Sequence, residues 1–108
     1  MTVEEAVSKF NAKKKLVMGK YDELMKKAVS IEEDIRNLPS KYPNNSKQWI
    51  EEKQQILTKR LDEAKRYAAE FLKKRMEDIQ KELDSVQADI KEWVNNQLEK
   101  MAQALLGA

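Results

Sequence analysis

Carboxylates are the side chains with which this sequence could do chemistry, and they occur in small clusters. The clusters are Glu4-Glu5, Glu32-Glu33-Asp34, Glu51-Glu52 and Glu77-Asp78. Paired carboxylates can transfer protons or hold metal ions, but adjacent residues of a helix point about 100° apart. The chain also has no histidine and no cysteine, which removes the usual general base, the commonest metal ligand and all thiolate chemistry. We therefore predict that the protein is not an enzyme and uses no metal or other cofactor.

Basic side chains form the second kind of candidate site. Residues 9–27 hold seven lysines against two acids, and residues 58–76 hold seven Lys or Arg against three acids. If the two segments lie antiparallel, they form one basic waist that attracts phosphates without reading bases, or that docks an acidic protein. We favour a solvated shaft or an acidic protein partner over nucleic acid. The candidate contacts are Lys13, Lys14, Lys15, Lys73, Lys74 and Arg75.

Composition indicates the elements that must position these side chains. The chain has 108 residues, of which 37% are charged and 41% hydrophobic, with only two Gly and two Pro. Such a composition is typical of long helices and coiled coils, and the length favours a single domain, residues 1–108. The N-terminus does not resemble a secretory signal, and no stretch approaches the roughly 20 apolar residues of a membrane span. We expect a protein of the cytoplasm, or of a virion or other assembly built there.

Apolar residues near the N-terminus recur in alternating steps of four and three, interrupted only by Lys14. They are Val3, Val7, Phe10, Val17, Tyr21, Leu24, Ala28, Ile31, Ile35 and Leu38. A mean spacing of 3.5 residues keeps one seam of a helix facing a partner, which is the coiled-coil pattern. The pattern predicts a first helix over about residues 3–37, and we expect the long side chain of Lys14 to reach outward from the seam.

A hinge over residues 38–45 contains both prolines, Pro39 and Pro43. Because proline disfavours a continuing helix, we expect the first helix to end before Pro39. Asn45 is the predicted cap of the following helix, with Gln48 in the reciprocal position of a capping box.

A second helix is predicted over about residues 46–106, because no Gly or Pro occurs between the hinge and Gly107. A short connection between long helices favours an antiparallel hairpin. Placing the loop centre between Tyr42 and Pro43 puts Ile35 opposite Ile50, and we expect Trp49 to pack with Tyr42 over the hinge. The predicted fold is therefore all-α: a long antiparallel helical hairpin, or coiled coil, with a C-terminal helical extension.

The extension, residues 83–106, has no partner in a two-helix hairpin although its stripe remains apolar. The predicted protein-interface residues are Val86, Ile90, Trp93, Val94, Leu98, Met101 and Leu105. Exposing such a stripe invites association. Either the helix bends near Asp84-Ser85, where Asp84 and Gln87 could form a capping box, and folds back as a third helix, or another chain covers the stripe. We favour the second alternative.

These patterns predict a non-enzymatic structural or assembly protein that docks through its C-terminal helix, as a homo-oligomer or within a larger complex. Virion components, scaffolding proteins and secretion-apparatus subunits use such parts. Two alternatives remain open: a nucleic-acid-associated protein that uses the basic waist, and a small helical chaperone or adaptor. Fold-level similarity among helical hairpins does not decide between them.

Overall fold

The computed structural model describes residues 2–83 and 86–107, and the secondary structure in this part of the chain is helical. The helices are α1 (Val3–Lys41), α2 (Lys47–Glu82) and α3 (Ala88–Gly107). Helices α1 and α2 form a hairpin around a short turn. The predicted all-α helical hairpin is thus confirmed.

Helix α1 begins with a side-chain cap from Thr2. The backbone N–H of Glu5 donates to Thr2 Oγ1 at 3.2 Å, and Thr2 and Glu5 have the spacing at which a side chain satisfies an otherwise unpaired N–H of the first turn. Glu4 and Glu5 also place negative charge at the positive end of the helix dipole. The start of the helix therefore agrees with the predicted boundary.

Helix α1 continues through Pro39 to Lys41, so the prediction that it ends at residue 37 is wrong. Pro39 has no N–H, so the carbonyl of Ile35 lacks its intrahelical donor. The Gln54 side chain of α2 supplies the replacement, with Nε2 donating to Ile35 O at 3.1 Å. The helix resumes regular bonding after the proline, because Tyr42 N donates to Leu38 O at 3.1 Å.

The turn lies later in the chain than predicted, and Ser46 caps α2 instead of Asn45. The N–H of Trp49 donates to Ser46 Oγ at 3.1 Å, whereas Asn45 donates its own N–H to Tyr42 O within the turn. The rings of Tyr42 and Trp49 meet edge to face at 5.2 Å, which confirms their predicted contact at the hinge.

The later turn also changes the register of the hairpin. Ile35 lies beside Gln54, whereas the predicted loop centre placed it opposite Ile50. This contact lies four positions further along α2 than the predicted one, which is close to one helical turn, and a shift of one turn presents the same face of α2 to α1. This is why the seam pattern alone could not distinguish the two registers.

Helix α2 ends at Glu82 and α3 begins at Ala88, so the predicted continuous helix over residues 46–106 is wrong. Leu83 has 3₁₀ conformation, and Val86 N donates to Leu83 O at 3.2 Å. The predicted bend at Asp84-Ser85 lies outside the described residues, as does the Asp84 half of the proposed capping box with Gln87. The third-helix alternative is the one that the structure shows.

The chain divides into two compact units. The three-helix unit comprises Met1–Tyr21 and Ala69–Ala108, and the two-helix unit comprises Asp22–Ala68. Helices α1 and α2 contribute to both units, whereas α3 belongs to the first alone. Whether the chain behaves as a single domain, as predicted, stays a prediction.

Within the three-helix unit, α3 runs parallel to α1 in a constant register. Three contacts each join residues 83 positions apart. They are the Phe10 and Trp93 rings at 5.4 Å, Lys14 Nζ and Gln97 Oε1 at 2.8 Å, and Tyr21 Oη and Ala104 O at 3.5 Å. A parallel α3 follows from the hairpin, because α2 returns the chain to the N-terminal end of α1.

Candidate functional site

The C-terminal stripe, predicted as an interface, lies in the core of the three-helix unit. Ile90, Val94, Leu98 and Met101 are buried, and Val86, Trp93 and Leu105 are half-buried. The expectation that this stripe lacks cover within its own chain is wrong, because α3 folds back against α1. Contact of these residues with another chain stays a prediction, and the structure gives the stripe a different role, that of core packing.

The predicted phosphate contacts fall into two groups. Half of the residues are engaged within the three-helix unit: Lys13 forms an ion pair with Glu82, Lys14 donates to Gln97, and Arg75 Nη1 lies 3.2 Å from Asp78 Oδ2. Arg75 also lies over the Phe71 ring, with its Cζ atom 5.8 Å from the ring centroid. Lys15, Lys73 and Lys74 are exposed, which leaves three of the six available to a partner.

Lys14 does not reach into solvent as predicted. Its side chain is half-buried and its ammonium group donates to the Gln97 amide oxygen. A single polar residue within an apolar seam can fix the register between helices, because a shifted partner would leave the polar group unsatisfied. Lys14 therefore fixes the register between α1 and α3. This role could not be predicted as long as the C-terminal extension was expected to project beyond the hairpin.

The acidic clusters are largely solvated. The carboxylates at 32–34 and 51–52 are exposed, as is Glu77, while the half-buried Asp78 pairs with Arg75. Within residues 2–83 and 86–107, no group of three or more carboxylates is close enough to hold a metal ion. The acids thus form charged helix faces.

The two-helix unit has an incompletely covered seam. Ile31 and Ile35 of α1 and Leu57 and Leu61 of α2 are only half-buried, and we call these four residues the open seam. Val29 and Ile56 are more exposed still, at 49% and 47%, but each directly neighbours a seam position and therefore points about 100° away from it. Sequence reasoning missed this surface because it assigned the uncovered apolar residues to the extension. The available signal was simple: two helices alone cannot enclose a seam on every side.

Charge is unevenly distributed along the two-helix unit. The part nearer the turn, residues 28–57, holds five acids and four Lys or Arg, whereas residues 22–27 and 58–68 together hold six Lys or Arg and four acids. The two parts therefore have opposite net charge. Two copies of the unit that lie antiparallel would bring parts of unlike charge together.

These features define the protein's class as an all-α helical hairpin that is followed by a third helix of the same chain. No helix in residues 2–83 and 86–107 is long and apolar enough to cross a membrane. Comparison with protein-family models, with curated proteins and with solved structures gave no match to the chain. The proposed function therefore rests on the surfaces described above.

Proposed function

We propose that the protein is a non-enzymatic structural or assembly protein whose two-helix unit pairs with the same unit of a second copy. The open seam is the observation that carries this proposal. Ile31, Ile35, Leu57 and Leu61 keep part of their apolar surface in water, and full burial of each such side chain stabilises by about 1.5–3 kcal/mol. Two hairpins that share a seam form a four-helix bundle, in which each helix buries its apolar stripe.

A second copy fits this surface better than an unlike partner for two reasons. A two-fold interface uses the same patch on both copies, so one open seam supplies both halves. The unequal charge along the unit favours an antiparallel arrangement, in which the acidic part near one turn meets the basic part of the other copy. The C-terminal stripe no longer supports the proposal, because it is the core of the three-helix unit.

Light scattering on the full chain tests the proposal. The wild-type chain should form a dimer, and the double variant Ile31→Gln with Leu57→Gln should be monomeric, because both substitutions place a polar amide in the half-buried open seam. Circular dichroism should show that the double variant keeps its helix content. Leu16→Glu is the matched control, since Leu16 is 76% exposed but belongs to the three-helix unit. A monomeric wild-type chain, or a dimer that the double variant leaves intact, contradicts the proposal.

Phosphate binding is the second candidate function, and it depends on three exposed lysines. Lys15, Lys73 and Lys74 form no ion pair within the part of the chain that the structure describes. Replacing all three by Gln should weaken binding to double-stranded DNA of any sequence and reduce the slope of log affinity against log salt by about 3. Lys47→Gln, in the two-helix unit, is the control for a general loss of charge. No binding by the wild-type chain at low salt would eliminate this candidate.

A further inference from the structure

The three-helix unit contains a cavity at the end where α1 begins, α2 ends and α3 begins. Its volume is about 300 Å³. The walls are mainly apolar and come from all three helices: Ala6 and Phe10 from α1, Ile79 from α2, Leu83 from the turn that follows α2, and Ile90 and Val94 from α3. The cavity is therefore a product of the fold-back of α3, and a two-helix hairpin could not form it.

Packing differs between this cavity and the rest of the same unit. Leu72 and Met101 are fully buried, whereas Ala6 contributes only a methyl group to the cavity wall. An apolar cavity of about 150 Å³ can stay dry and accept a benzene molecule. A cavity of twice that volume accommodates a longer hydrocarbon, of up to about twelve carbons by proportion. Because the cavity is partly open to solvent, where Lys9 and Glu82 are exposed, an apolar occupant would shield its apolar walls from water and so stabilise this unit.

Charged side chains accompany the apolar walls. Lys9, Lys13 and Glu82 line the cavity, and Lys13 and Glu82 form an ion pair. Lys9 is exposed, and among residues 2–83 and 86–107 the structure gives it no carboxylate partner. Among the lining residues that the structure describes there is one more positive than negative charge, and the ammonium group of Lys9 can approach an anion at the cavity.

We infer that this cavity binds a single-chain anionic amphiphile, namely a medium-chain carboxylate. The hydrocarbon chain occupies the space between Phe10, Ile79 and Val94, and the carboxylate lies in solvent beside Lys9. A charge-assisted hydrogen bond to an ammonium group favours the carboxylate over a neutral headgroup, while the apolar walls favour the chain over a small anion. This binding is independent of the proposed pairing of two-helix units.

Tryptophan fluorescence can follow binding directly. Trp93 contacts Phe10, which lines the cavity, and Trp49→Phe would leave Trp93 as the single tryptophan in an otherwise complete chain. Titration of this variant with decanoate, below the concentration at which decanoate forms micelles, should give a saturable change in Trp93 emission. Decanol should bind about 10-fold more weakly, which corresponds to the loss of one charge-assisted hydrogen bond.

Substitutions at the charged residues should shift decanoate affinity in opposite directions. Lys9→Gln should weaken decanoate binding about 3- to 10-fold and leave decanol binding unchanged, since only the carboxylate interacts with the ammonium group. Glu82→Gln should strengthen decanoate binding, because it frees Lys13 from its ion pair. Lys15→Gln is the matched control, because Lys15 is exposed on the same helix but does not line the cavity.

Filling the cavity completes the test. Ala6→Leu should abolish decanoate binding while circular dichroism shows unchanged helix content, because the added side chain occupies the hydrocarbon site. If that variant fails to fold, the substitutions at the exposed Lys9 and Glu82 still decide the question. Absence of a saturable change with decanoate, equal affinity for decanoate and decanol, or unchanged binding in folded Ala6→Leu would each overturn the inference.

Discussion

The three-helix unit and the two-helix unit are built on the same two helices, but they enclose their apolar residues to different extents. In the first unit the buried side chains come from all three helices, as Phe10, Leu72 and Val94 illustrate. In the second, Leu24, Ala28, Leu38 and Ala68 are the buried apolar residues among those described, and the open seam stays half exposed. The difference shows that the third helix, and not the pattern of the hairpin itself, completes a core.

Small residues show how each unit brings its helices together. Ala28 and Ala68, at the seam of the two-helix unit, are essentially inaccessible, because short side chains let two helices approach closely but leave little volume to fill. In the three-helix unit, large residues such as Leu72 and Met101 reach the same degree of burial. Burial of larger apolar surface stabilises more, so we expect the three-helix unit to be the more stable one.

Removing α3 should have the largest effect. A chain that ends at Leu83 loses four buried side chains of α3, each worth about 1.5–3 kcal/mol, a total comparable with the whole stability of a small domain. Hydrogen exchange should show lost protection over residues 3–21 of α1 and retained protection over residues 24–38. Retained protection over residues 3–21 in the shortened chain would mean that α3 is not needed to hold this part of α1 in place.

Truncating one leucine in each unit tests the same contrast with a smaller change. Leu72→Ala should cost about 2–5 kcal/mol, since Leu72 is fully buried and its removal leaves a cavity. Leu61→Ala should cost about half as much in the monomeric chain, because Leu61 is half-buried. Urea denaturation followed by circular dichroism measures both values. If Leu61→Ala lowers the free energy of unfolding as much as Leu72→Ala at concentrations where the chain is monomeric, the open seam is already covered within one chain.

The side-chain amide of Gln54 donates to Ile35 O near the end of α1. Removing this amide should lower the free energy of unfolding by about 1–3 kcal/mol, because Ile35 O is left unsatisfied. Gln54→Leu removes the donor, whereas Gln55→Leu, at the exposed neighbouring position, is the control. In a Pro39→Ala background the new backbone N–H can bond to Ile35 O. The cost of Gln54→Leu should then fall by about 1 kcal/mol.

Independence of the Gln54 and Pro39 substitutions would contradict this account of the helix end. Thermal or urea unfolding of the four chains in the cycle gives the coupling energy directly. The measurement also sharpens the comparison between units, because this hydrogen bond joins α1 to α2 where α3 contributes nothing.

The hairpin could be predicted from the sequence because the seam and the hinge are local patterns. The alternating spacing from Val3 to Leu38 specifies one helix face, and Pro43 with the asparagines that follow it marks the turn. The end of α1 could not be predicted in the same way. Its passage through Pro39 depends on a side chain of another helix, Gln54, and no local signal reports such a contact.

The fold-back of α3 and the cavity were harder to predict for the same reason. No Gly or Pro within residues 46–106 marks the end of α2, and the apolar stripe of the extension is equally compatible with an intramolecular or an intermolecular cover. The polar partner of Lys14 settles the pairing in the structure, but Gln97 resembles any surface residue in the sequence. A cavity formed by three helices can be recognised only after their arrangement is known.

Exposed helix positions should show the smallest effect and little dependence on the unit in which they lie. Gly19 lies within α1 in the three-helix unit, and a Cβ atom added there would meet nothing within 4 Å. Gly19→Ala should therefore stabilise the chain by about 1 kcal/mol through reduced backbone entropy of the unfolded state. Ser30→Ala, at an exposed position of α1 in the two-helix unit, should stabilise by about 0.5 kcal/mol. Since neither position is enclosed, helix propensity alone should set the change in the free energy of unfolding at both positions. Urea denaturation can measure both changes. A destabilising Gly19→Ala would show that the glycine makes a close contact in solution, and the contrast between the units would then extend to the outer surface of α1.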